Sequence, residues 1–175
     1  MLPVGRRGDV RTEGPRETYL IRGKLEWERE TGREVLFHAT SGDPMPWSRW
    51  AAGERPYEAE GRLQWRPGSS RTWDGYLAAV FTWAGTRSLV HDTDSASTPR
   101  AGDLLVAPGS PGHAVTLLDV ARRGEETFVL VAEGYMPAQQ AHVEIGPEAG
   151  WWRWDDGIAL PHWDLPASGL RRWKD

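Results

Sequence analysis

The chain contains no cysteine among its 175 residues. This absence excludes disulfide bonds, thiolate metal ligands and a cysteine nucleophile within the sequence. Phenylalanine and tyrosine are scarce, with 3 and 4 residues, whereas tryptophan reaches 11. Each indole combines a large apolar area with one N–H donor, so the tryptophans either fill the core or line an aromatic groove for a sugar or a peptide.

An excess of positive charge is also missing. The chain has 21 Lys and Arg against 25 Asp and Glu, a net charge of −4, so no nucleic-acid partner is predicted. No apolar run approaches the roughly 20 residues of a membrane-spanning helix, and no transmembrane segment is expected. The first residues show no apolar signal-peptide region, which leaves open a cytoplasmic protein or the mature part of an exported one.

Two helices are predicted in the first half of the chain. Residues 1–15 are polar and read as a flexible arm before a single domain over residues 16–175. Residues 16–30 carry an apolar stripe that includes Trp27 and stop before a glycine, which predicts a helix. Residues 70–86 place apolar side chains at i, i+3, i+4 and i+7, which predicts a helix that faces the core.

Short apolar segments bounded by Gly or Pro follow a polar stretch, residues 91–102, that reads as a loop. The segments 103–107, 113–121 and 127–134 predict an antiparallel meander. Helices before strands indicate an α+β fold, with both helices packed on an antiparallel sheet made mainly by residues 103–145.

The stretch "GSPGHAVTLLD" (109–119) brings a histidine, His113, to the first position of a strand. Pro111-Gly112 suits the centre of a type II turn, because proline fixes φ and glycine supplies a positive φ. A second turn near Gly124 would return the chain so that His113 lies opposite Glu133 or Tyr135 on one sheet face.

A carboxylate beside an imidazole raises its basicity and fixes its tautomer. His113 is therefore a candidate catalytic base, with Glu133 as its orienting partner, acting on a nucleophile or a water molecule. The alternative is that His113 ends a hairpin and Glu133 ends a strand in solvent.

No metal or other cofactor is predicted. The five histidines show neither H-x-x-x-H nor H-E-x-x-H spacing. The segment "HDTD" (91–94) offers Asp92 and Asp94 to a cation, but clusters of Asp, Ser and Thr are typical of solvated loops.

The chain resembles an uncharacterised bacterial family known as a domain of unknown function. The resemblance runs from about Arg16 to the C-terminus and rests on motifs that occur in the same order with similar gaps: "FTWAGTRSL", "PRAGDLLVAPGSPGHAVTLLDVA", "FVLVAEGYMPAQQAHV" and "PHWDL".

The "P-x-x-GD" motif, a strand, a turn and "GHAV" are also similar to cell-wall peptidases of the NlpC and CHAP type. That resemblance implies a papain-like fold, in which a cysteine begins a helix, a histidine opens a strand and a polar residue lies on the next strand. His113 matches the histidine and Glu133 the third residue, while the cysteine position falls near Arg16. An arginine there suits a carboxylate ligand.

Three functions remain open. The first is a catalytically degenerate papain-like domain that binds a peptide or a cell-wall glycan-peptide near His113. The second is a hydrolase in which His113 and Glu133 activate water or a hydroxyl group, and the third is a protein-interaction module. A cysteine peptidase is excluded. The candidate binding residues around the pair are Arg16, Gly112, Tyr135 and Gln139.

Overall fold

A computed structural model describes residues 18–69, 71–134 and 141–174 of the chain. The fold is mixed α+β, with few helices and mostly antiparallel sheets. In chain order the helices are α1 (Thr18–Glu30), α2 (Trp47–Ala51), α3 (Trp73–Trp83) and α4 (Leu89–Asp92), with a 3-10 turn at Ala167–Gly169.

Thirteen strands accompany these helices. In chain order they are β1 (Leu36–His38), β2 (Pro44–Pro46), β3 (Glu54–Ala59), β4 (Arg62–Pro67), β5 (Thr93–Ser95), β6 (Leu104–Ala107), β7 (His113–Arg123), β8 (Glu126–Gly134), β9 (Ala141–Glu144), β10 (Trp152–Trp154), β11 (Gly157–Leu160), β12 (Trp163–Pro166) and β13 (Leu170–Trp173).

The two predicted helices form, with shorter bounds. Helix α1 buries Leu20 and Leu25 and ends at Glu30, and Gly32 follows in the turn with φ of +71°. Trp27 is 50 % exposed, so its predicted place in the apolar stripe is wrong. Helix α3 begins at the Thr72 cap, whose hydroxyl accepts a hydrogen bond from the Gly75 amide at 3.3 Å.

The main sheet has seven strands in the order β10-β8-β7-β6-β13-β5, with β9 also paired to β8. It therefore extends beyond the predicted residues 103–145, because chain segments remote in sequence complete its edges. Residues 91–102, predicted as a loop, instead provide the end of α4 and all of β5. Pairing of Thr116 with Ala132 lies within the predicted register, and a bulge between Leu117 and Asp119 shifts it by one residue.

Alternation along these strands sends successive side chains to opposite faces. Leu104, Val106 and Ala114 face α1 and α3 in one hydrophobic cluster. A second cluster occupies the other face and is covered by the β11–β12 hairpin; its buried members are Leu105, Val115, Leu117, Val129, Val131, Ile158, Leu160, Leu165 and Leu170. The molecule thus stacks helices, a sheet and a hairpin in three layers.

The described helices are all too short or too polar to cross a lipid bilayer.

Candidate functional site

His113 opens β7, pairs with Ala107 of β6 and is only 1 % exposed. Its Nε2 lies 2.6 Å from Oε2 of Glu133, which is 2 % exposed on β8. The predicted juxtaposition of these two side chains is therefore present in the structure, although both groups are buried rather than open at the end of a strand.

The turn before His113 differs from the predicted one. Gly112 does not have the positive φ that a type II turn requires, and the Ser110–Pro111 peptide bond is cis. A Cβ atom at Gly112 would lie 2.1 Å from Oγ1 of Thr86 and 2.7 Å from the Gly109 amide nitrogen. Glycine is required at this position by close packing rather than by backbone conformation.

Glu133 continues the site toward solvent through strand β9. It pairs with His142, and Glu144 lies opposite Val131, so the two β9 side chains share the face of Glu133. His142 Nε2 is 2.8 Å from Oε1 of Glu144 and 3.8 Å from Oε1 of Glu133. The His142 side chain is 41 % exposed and that of Glu144 is 18 % exposed, so these two residues form the accessible side of the cluster.

Burial and a neighbouring carboxyl group raise the pKa of Glu133 from 4.5 to about 7. Burial is the larger cause, because it disfavours the charged form. A hydrogen bond to Glu144 and the charge of Glu144 act in the same direction, whereas the positive charges of His142 and His162 oppose it. A carboxyl group with this pKa gains or loses a proton close to neutral pH, as acid–base groups in functional sites do.

The β11–β12 hairpin covers the buried end of the cluster. The Trp163 ring lies 5.6 Å from the His113 ring, measured between centroids, and His162 precedes it in the turn of the hairpin. The indole packs against the His113 ring, and the burial of His113 and Glu133 strengthens the electrostatic interaction between them.

Glu133 connects the buried part of the cluster to its exposed part. Glu133 contacts His113 through one oxygen and faces His142 through the other. Ligand-type atoms of Glu133, His142 and Glu144 also lie within 4.8 Å of one another, so these three side chains could together hold a cation.

The sequence-predicted site residues are only partly brought together. His113 and Glu133 are in contact, and Gly112 lies in the turn that presents His113. Arg16, Tyr135 and Gln139 lie outside the described residues.

The sequence reasoning missed His142 and Glu144. The signal was the alternation in "HVE" (142–144), which places both polar side chains on one face of a strand. The antiparallel return of that strand beside β8 brings this face to Glu133.

Comparison with known proteins identifies a family for this chain. Searches of the curated proteins and of the solved structures give no match. A family described as domain of unknown function (4846) matches residues 18–172, which covers every described part of the site. The chain therefore belongs to this domain family.

Proposed function

We propose that the chain is a non-thiol, ligand-binding member of its family that binds a peptide or a cell-wall glycan-peptide at His142 and Glu144. The observation that carries this proposal is the 2.6 Å contact of the buried His113–Glu133 pair, continued to the surface by these two side chains. A carboxylate accepts hydrogen bonds from amide and ammonium groups, and an imidazole can donate or accept, so the pair suits a peptide.

His113 acts in this proposal as a positioning residue. It is too deeply buried to contact a ligand directly, but its hydrogen bond fixes the carboxyl group of Glu133 beside the exposed pair. Burying two polar groups is costly unless they are partnered, so retaining such a pair next to an accessible imidazole favours a functional role.

The proposal includes a papain-like architecture in its general features. A helix packs on an antiparallel sheet, a histidine opens a strand, and a polar residue lies on the next strand, as in peptidases of the NlpC and CHAP type. However, α1 packs on the face of Ala114, and His113 points to the opposite face. A residue at the start of α1 would be separated from His113 by the sheet, which argues for binding without papain-type catalysis.

Calorimetric titration with a muramyl tetrapeptide, and with the free tetrapeptide, tests this proposal. We expect saturable binding, and a roughly tenfold loss of affinity in both His142→Gln and Glu144→Gln, about 1.4 kcal/mol each. Glu125→Gln, an exposed residue in the β7–β8 turn, serves as the matched control and should bind normally. Absence of saturation, or equal binding in all variants, would overturn the proposal.

The second candidate is a hydrolase in which Glu133, assisted by His113, exchanges a proton with a water molecule beside His142. The pKa of Glu133 near 7 favours this candidate, because proton transfer is most efficient when the pKa lies near the working pH. Mass spectrometry of the same peptides after long incubation distinguishes it. Product that disappears in both His113→Ala and Glu133→Gln supports hydrolysis, whereas intact peptide after binding supports the first proposal.

A further inference from the structure

A separate cleft of about 540 Å³ lies beside α1, away from the cluster of Glu133. Helix α1, the segment 33–38, the end of α4 and Lys174 form its walls. A cavity of this volume is in the range that holds a small organic molecule.

His38 and Asp92 form a fixed imidazole–carboxylate pair in this cleft. Asp92 is 5 % exposed and accepts the His38 backbone N–H on Oδ2 at 3.1 Å, while its Oδ1 lies 2.8 Å from His38 Nδ1. Nδ1 is thus engaged, and within the described ranges no hydrogen bond reaches Nε2, the other nitrogen of a ring that is 24 % exposed. The pair therefore leaves Nε2 for a ligand.

This geometry also changes the interpretation of "HDTD". Asp92, one of the two carboxylates that the segment offers to a cation, has both oxygens engaged by His38. Asp94 lies on β5 and is exposed. The two carboxylates do not converge on a common ion, so the segment supports an imidazole rather than a cation.

The charges in the cleft divide into paired and unpaired groups. Glu28 is ion-paired with Lys24 at 2.5 Å, whereas Asp92 lies within hydrogen-bond distance of the His38 ring. In the part of the chain that the structure describes, neither Arg33 nor Lys174 forms an ion pair with a carboxylate. Their positive charges remain available to a ligand, and the carboxylates of Glu34 and Asp92 lie in the same cleft.

Two contacts fix these cations at the cleft. The Arg33 guanidinium lies 4.7 Å from the centroid of the Trp27 ring, a stacking that leaves its N–H edge exposed to a partner. Lys174 Nζ donates to the carbonyl of His91 at 2.8 Å, which uses one of its three N–H groups. The His91 ring itself lies 6.0 Å from that of His38, measured between centroids.

We propose that this cleft binds a small molecule through a phosphate group, which Arg33, Lys174 and the Nε2 atom of His38 contact together. Guanidinium and ammonium groups are the side chains that recognise phosphate oxygens. The His38 ring, held at Nδ1 by Asp92, supplies Nε2 as the third contact. A phosphate offers enough acceptor oxygens for these separate donors, whereas a carboxylate has only two.

Titration of the full ¹⁵N-labelled chain with inorganic phosphate, at fixed pH and ionic strength, tests the proposal. The readout is the long-range ¹H–¹⁵N spectrum of the histidine rings. We expect a saturable shift of His38 Nε2, with Nδ1 remaining the nitrogen bonded to Asp92. Arg33→Gln and Lys174→Gln should each weaken the apparent affinity about tenfold.

Arg87→Gln, an exposed arginine outside the cleft, is the matched control and should leave the titration unchanged. Acetate in place of phosphate distinguishes the two oxyanion sources. A shift that grows without saturation, saturation by acetate alone, or equal affinity in the Arg33, Lys174 and Arg87 variants would overturn the proposal.

Discussion

Among the described residues, the imidazole–carboxylate pairs His38–Asp92 and His113–Glu133 differ in what surrounds the carboxylate. In the pair of His38 and Asp92, both carboxylate oxygens are engaged by one residue, through its backbone N–H and its ring. In the pair of His113 and Glu133, one oxygen contacts the ring and the other faces His142, beside Glu144.

The difference shows how identical chemical groups acquire different roles. Asp92 contacts His38 through both carboxylate oxygens and thereby orients the His38 ring, which lines a cleft. Glu133 is buried next to a second carboxyl group, so its pKa rises to about 7. The first pair leaves a ring nitrogen, His38 Nε2, beside a cleft, and the second lies behind the exposed imidazole of His142.

The largest expected difference between the pairs is in stability. His113→Ala leaves Glu133 buried without its imidazole, and removing one partner of a buried pair should lower the free energy of unfolding by about 3 kcal/mol. His38→Ala retains the backbone hydrogen bond to Asp92 at a partly exposed site and should cost about 1 kcal/mol. Urea denaturation at neutral pH measures both, and equal costs would contradict the distinction.

The turn that presents His113 should be almost as sensitive. Gly112→Ala forces a methyl group against Thr86 and the Gly109 backbone, which should cost about 2 kcal/mol through overpacking. Thermal unfolding measures the loss. Adding Thr86→Ala should recover part of it, since the Gly109 amide nitrogen remains too close; no recovery would point to a backbone cause instead.

Much of this arrangement could be predicted from sequence, because it depends on local signals. The spacing of two turns in residues 109–134 set the register that brings His113 to Glu133. His38 and Asp92 are 54 residues apart, and no local pattern relates them.

The remaining features depend on tertiary packing. Trp163 reaches His113 only because the β11–β12 hairpin folds over the sheet. The tight packing of Gly112 depends on Thr86, which lies between α3 and α4, far from the turn in sequence. The sequence preferences of turns therefore do not predict this contact.

The pH dependence of stability separates the two pairs further. The folded-state pKa of Glu133 lies above its ordinary value, so between pH 4.5 and about 7 the folded protein holds a proton that the unfolded chain releases. The stabilisation that this proton gives the folded state is fully present below pH 4.5 and is lost as the pH rises through 7. Over this range the free energy of unfolding should fall by up to about 1.4 kcal/mol per pH unit.

Glu133→Gln should remove this slope. Chemical denaturation of wild type and variant across pH 5 to 8 measures it, and the exposed Glu125→Gln provides the matched control that should retain the wild-type slope. A slope that survives unchanged in Glu133→Gln would assign the proton to a different group.

The smallest effect is expected at the exposed end of the cluster. His142→Gln removes a surface partner and should change the free energy of unfolding by less than about 0.5 kcal/mol. It should nevertheless raise the pKa of Glu133, because the positive charge of His142 opposes the shift in the wild type. The pH above which the free energy of unfolding stops falling reports the pKa of Glu133. This pH should be higher in His142→Gln than in the wild type, and a lower value would contradict the prediction.

The most direct test of the central claim is a ¹³C NMR titration of the Glu133 carboxyl group in wild type and in Glu144→Gln. We predict a midpoint near pH 7 in the wild type and a lower midpoint in the variant, since the hydrogen bond and the charge of Glu144 both raise the pKa of Glu133. An ordinary midpoint near 4.5 in both proteins would contradict the account of a shared, near-neutral proton at this site.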